Sequence, residues 1–147
     1  MKSEKKFITE VILRMADFDY GGVLFHARYL EILDYVRNNI FSDINGSAFQ
    51  LLSKDLALAV VDYHLIYRRS IKNINLLVST EVLEVKDKSI KIEHKIMENS
   101  NQRRIDLEKQ LSEEPFFKAT VSLVCVNLKE KRATGLPQNF KEKLAIQ

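Results

Sequence analysis

The chain has 147 residues, which suits one domain spanning 1–147 with a proper core and leaves little for a second. With 46% hydrophobic and 29% charged residues it has a soluble, globular composition, and a net charge of +3 spread among similar numbers of acids argues against nucleic acid as a partner. One cysteine, Cys125, excludes an internal disulfide, and no apolar run approaches the roughly 20 residues of a membrane span, so a cytoplasmic setting is expected.

The first element is a strand. Phe7, Thr9, Val11, Leu13 and Met15 alternate with Ile8, Glu10, Ile12 and Arg14, a period of two that a signal peptide lacks. The stretch from Arg14 to Phe41 then organises the chain. It begins as a loop with two acids, Asp17 and Asp19, and a glycine pair, Gly21 and Gly22. From about Ala27 it becomes a helix pattern, with Tyr29, Leu33, Val36 and Ile40 at spacings of four, three and four. Leu30 and Ile32 widen the apolar stripe, and Glu31, Asp34, Arg37 and Asn38 are predicted to cover the opposite, polar side. The free N–H groups of the first helical turn point into the acidic loop, and the helix dipole favours negative charge there. A carboxylate beside preformed N–H donors is what acyl-group chemistry needs.

Asp43 to Ser47 breaks the helix, with Ser47 a candidate cap for a short helix through Leu52. Leu56–Tyr67, rich in Val, Leu, Ile and Tyr, predicts a second strand, buried on both faces at its start. Leu76–Val85 predicts a third. Asp87 and Lys88 turn into a fourth, where Ile90, Ile92, His94 and Ile96 alternate with Lys91, Glu93, Lys95 and Met97. The polar stretch Asn99–Glu114 predicts an extended, mobile connection. Phe116–Asn127 predicts a fifth strand, followed by a basic tail with a helical turn from Asn139. The expected fold is α+β: an antiparallel five-stranded sheet wrapped around one long central helix. Its edge strands need cover, and a homodimer or homotetramer would supply it.

The segment Asp17-Phe18-Asp19-Tyr20-Gly21-Gly22-Val23-Leu24-Phe25-His26-Ala27-Arg28-Tyr29 resembles the signature of the 4-hydroxybenzoyl-CoA thioesterase-like hotdog proteins. It is most similar to the short acyl-CoA thioesterases found with the Tol–Pal system of bacteria. The resemblance implies a hotdog fold and hydrolysis of an acyl-CoA or acyl-carrier-protein thioester at a subunit interface. It implies no cofactor beyond the coenzyme A that belongs to the substrate. It makes Asp19, the motif's second acid, the nucleophile or general base. It makes His26, seven residues on, the bearer of the backbone oxyanion donor, its imidazole a further candidate for holding substrate or water. Gly22, Val23 and the motif tyrosine Tyr29 are implied to border the substrate. The chain departs from the family pattern at 67–73, which holds neither the usual proline nor a Gly-Asp pair, and in its longer connection before the fifth strand.

Outside the motif, Arg68, Arg69 and Lys72 form a basic cluster, either a solvated strand end or a clamp for coenzyme phosphates. His64 and His94 lie on strand patterns without metal-ligand spacing, so both are expected to be structural and no metal is expected. Asp17 is expected to orient the loop, and Cys125 to pack. No serine stands in a nucleophile-elbow pattern and no phosphate-binding glycine motif occurs. Two functions remain: a thioester hydrolase, and a non-catalytic hotdog module that binds acyl groups or serves as a scaffold. A dehydratase of the same fold fits the acid motif less well.

Overall fold

The computed structural model describes residues 5–43, 51, 54–99 and 114–144. In chain order these form β1 (Lys5–Ile12), a 3-10 turn (Met15–Asp17), α1 (Arg28–Asp43), β2 (Leu56–Tyr67), β3 (Asn75–Val85), β4 (Ser89–Glu98), β5 (Phe117–Asn127), β6 (Arg132–Ala133) and α2 (Gln138–Leu144). All pairings are antiparallel, and the sheet runs β1-β3-β4-β5-β2, with β6 on β5.

The architecture is α+β with one sheet packed on a long helix, as expected, but with six strands and a second helix. Tyr29, Leu33, Val36 and Ile40 of α1 are all buried. They pack against Phe117, Ala119, Val121, Leu123 and Cys125 of β5 and against Ile90, Ile92 and Ile96 of β4. Strict alternation of buried and half-buried residues along β5 makes this the inner face. The sixth strand arises because the Asn127 side chain accepts from Lys129 N and Glu130 N, both at 2.9 Å. That turn folds the chain back onto β5. The basic tail is more structured than its composition predicts. Phe140 and Leu144, four apart on α2, are buried, and Phe140 stacks edge-on against Phe41 with ring centroids 5.5 Å apart.

Three further expectations need correction. β1 ends at Ile12 rather than Met15, because Arg14 turns back to bond Asp17. The start of β2 is half-buried, since β2 is an edge strand with β5 on one side only. Arg37 is not on a polar face: it is 3% exposed. The expected helix at 47–52, apart from Leu51, and the connection between Asn99 and Glu114 lie outside the described residues.

Arg37 is inside because β4 holds a partner for it. Its guanidinium donates to His94 Nε2 at 3.3 Å and to Asp34 at 3.1 Å, and lies 5.6 Å from the centroid of the Tyr63 ring. Arginine can only donate, so Nε2 is the acceptor and Nδ1 carries the proton that reaches Thr80 Oγ1 at 2.9 Å. The ring is therefore neutral. Burial, and then the charge of Arg37, push its pKa from 6.5 down to about 3. Between those values the unfolded chain holds a proton on His94 that the folded chain refuses, so acid destabilises the fold in that window. His94→Gln keeps an acceptor for Arg37 but cannot titrate. Its urea stability should fall less steeply than that of the wild type between pH 6.5 and 3. The difference in slope should reach at most about 1.4 kcal/mol per pH unit. Parallel curves would contradict the neutral-histidine assignment.

Candidate active site

The loop between β1 and α1 is built on Asp17. Its side chain is 9% exposed and accepts from Arg14 N at 2.8 Å and from the Arg14 guanidinium at 3.0 Å, with Arg28 Nε 3.6 Å away. The hydrogen bond from Arg14 holds its carboxyl below the usual range, so it stays ionised. The Asp17 carbonyl accepts from Phe25 N at 2.9 Å, and Leu24 N bonds Ile71 O at 2.8 Å. Both ends of the loop are thereby tied to the sheet side of the molecule. The expected orienting role of Asp17 is what these bonds describe.

Asp19 sits on the turn that this base supports. Its Oδ1 accepts from Gly21 N at 2.8 Å and Val23 N at 3.3 Å, and its own N–H bonds Val23 O at 2.9 Å. Oδ2 has no hydrogen-bond partner among the described residues. The two glycines answer separate needs. A Cβ on Gly21 would sit 3.3 Å from the Asp19 carboxylate, and Gly22 adopts φ +75°, a left-handed conformation.

The chain then enters α1 through a turn closed by Arg28 N to Phe25 O at 2.9 Å. His26 and Ala27 are its central residues, and neither N–H has an acceptor among the described residues. These are the orphan donors expected where a helix starts. The His26 imidazole is exposed and packs on Phe25, with centroids 4.6 Å apart.

A cleft of about 260 Å³ joins these parts. Asp19, Val23, Leu24, His26, Tyr29, Tyr67, Arg68, Arg69 and Ser70 line it. Of the residues expected from the sequence, Gly22 alone is not on its wall; it shapes the turn instead. Tyr29 is 4% exposed, and burial raises the pKa of its phenol. Arg68 and Arg69 stand on the wall but are engaged. Arg68 pairs with Glu114 at 2.6 Å, and Arg69 lies 3.8 Å from the centroid of the Phe116 ring. Lys72 is not on the wall; its backbone N–H donates to Glu98 at 2.8 Å. His94 is a core residue, His64 is exposed on β2, and Cys125 is buried. Among the described residues no cluster of His, Cys, Asp and Glu could hold a metal, and no helix is long and apolar enough to cross a membrane.

Tyr67 and Ser70 belong to the cleft and were not singled out from the sequence. Tyr67 carried a signal: it shares the strand face of Tyr63 and Leu65, both half-buried against the core, and it ends the strand. A second cavity, of about 190 Å³, lies at the other end of α1, walled by Arg37, Phe41, Leu51, Leu56 and Leu58 among others.

A curved antiparallel sheet on one long helix, with an acidic glycine loop at the helix entry, defines a hotdog-type thioesterase domain. The chain belongs to the thioesterase-like superfamily, whose profile matches residues 13–144, and so stands among thioester hydrolases. It is 34% identical over 127 residues to "Acyl-CoA thioesterase YbgC" of Haemophilus influenzae, covering 85% of this chain and 84% of that protein. Its fold is similar to Slr0204, a 1,4-dihydroxy-2-naphthoyl-CoA thioesterase from Synechocystis, with a TM-score of 0.79, 20% identity, and coverage of 95% and 96% of the two chains. It is also similar to SAV2348 from Staphylococcus aureus in complex with CoA, with a TM-score of 0.77, 13% identity, and coverage of 97% and 83%.

Proposed function

We propose that this chain hydrolyses acyl-CoA, or an acyl-carrier-protein thioester, to the free acid and the thiol. One observation carries the reading: the Asp19 carboxylate and the unbonded N–H groups at the start of α1 belong to a single cleft. A thioester carbonyl seated there directs its oxygen to the His26 N–H. Asp19 either takes a proton from the attacking water or attacks the carbonyl carbon itself. As charge gathers on the oxygen, the fixed N–H and the helix dipole stabilise it more than they stabilise the neutral ester. The tetrahedral species collapses with loss of the thiolate. Val23 and Tyr29 border the acyl end. Arg68 and Arg69 are the cations placed to meet the coenzyme's phosphates, with phosphate replacing Glu114 on Arg68.

The reading includes a homo-oligomer of two or four subunits. β2 is an edge strand with Val60 43% and Val61 60% exposed, an edge that a second copy would cover. Antiparallel pairing of β2 with its own copy sets the Tyr67 end of one strand beside the Leu56 end of the other. The apolar cavity of one subunit then adjoins the cleft of its partner and extends it. Light scattering at micromolar concentration should report at least a dimer, and a fully active monomer would remove this part of the reading.

The direct test is a pair of variants. Asp19→Asn keeps the shape and removes the charge, so kcat should fall roughly 10²–10⁴-fold with KM little changed. Asp17→Asn should instead lower stability, by on the order of 1–3 kcal/mol, through its lost charged hydrogen bonds. Folding of both is checked by circular dichroism. A folded Asp19→Asn with wild-type turnover would favour an acyl-binding module.

A further inference from the structure

Resting on the thioesterase reading of this cleft, we infer that Tyr67 is a positioning residue for the turn that displays the oxyanion donor. Its O–H donates to the His26 carbonyl at 3.2 Å, across 41 residues of chain. The Tyr67 ring is held from two sides, edge-on to Tyr29 at 5.1 Å and to Phe117 at 4.9 Å. Both of those residues are buried, 4% and 0% exposed, so the hydroxyl is presented from a rigid wall. Tyr67 itself is 50% exposed and lines the cleft.

The bond matters because of which peptide it holds. In the turn Phe25–Arg28 the central peptide joins His26 to Ala27, and a flip of that peptide converts one common turn type into another. The flip would send the His26 carbonyl, a negative dipole end, toward the side where the Ala27 N–H now points. Oxyanion stabilisation requires donors on that side. The flipped form needs a positive φ at the third turn residue, which Ala27 does not have here. Backbone preference and the Tyr67 hydroxyl therefore act in the same direction. Neither the ring nor the hydroxyl touches Asp19, so this role is separate from the acid's.

The test is Tyr67→Phe, which keeps the ring contacts and removes one hydrogen bond. On the best acyl-CoA substrate kcat should fall about 3- to 10-fold, with KM within about twofold and the melting temperature unchanged. Relaxation-dispersion NMR should show new microsecond-to-millisecond exchange at the His26, Ala27 and Arg28 amides in Tyr67→Phe but not in the wild type. Full kcat in Tyr67→Phe overturns the inference, and so does a lower kcat with silent amides, which would mark a packing effect. Either result leaves the thioesterase reading intact if the wild type turns over and Asp19→Asn does not. Failure of the wild type to release thiol overturns that reading and this role with it.

Discussion

The structure depends on how the chain enters α1. A helix with four buried positions along one face cannot start at an arbitrary angle, because Tyr29 and Leu33 must meet β5 at the first two turns. Asp17 sets that angle. It gathers Arg14 N, the Arg14 guanidinium and Arg28 around one nearly buried carboxylate, while its carbonyl holds Phe25. With Leu24 bonded to Ile71, the loop is fixed on both sides. Asp19 and the helix start are then held in relation to each other without any direct bond between them.

Two acids two residues apart are thus given opposite tasks by their surroundings. Asp17 is saturated with donors, and its charge is consumed in holding the loop. Asp19 is exposed, and the loop occupies only one of its oxygens. A carboxylate with a free oxygen beside unbonded N–H groups is the arrangement that acyl transfer can use. The same division holds in the core, where Arg37 is charged and buried yet matched by a neutral His94, so no buried side-chain polar atom among the described residues lacks a partner.

Much of this was legible in the sequence, and the parts that were not share a cause. The bounds of β2 fall where its branched and aromatic residues predicted, and the α1 stripe is buried as its spacing required. Those signals are local periodicities. Arg37 was misread because its burial depends on His94, 57 residues away, which no helical period reveals. Tyr67 was missed for the same reason, its partner being the carbonyl of His26. β1 ended early because Arg14 is drawn to Asp17, a contact that strand alternation cannot anticipate. The core face of α2 was hidden by a basic composition in which only Phe140 and Leu144 face inward. The acid loop was readable because its chemistry is local: acid, glycines and helix start lie within a dozen residues.

The central claim, that this cleft cleaves thioesters rather than merely holding them, is tested most directly by following thiol release and binding together. Wild-type protein is incubated with acyl-CoAs of differing chain length and with aromatic acyl-CoAs, with a colour reagent for free thiol and calorimetry for affinity. The account predicts catalytic release of coenzyme A, matched mole for mole by free acid, from at least one of them. Saturable binding across the set with no thiol released would contradict it.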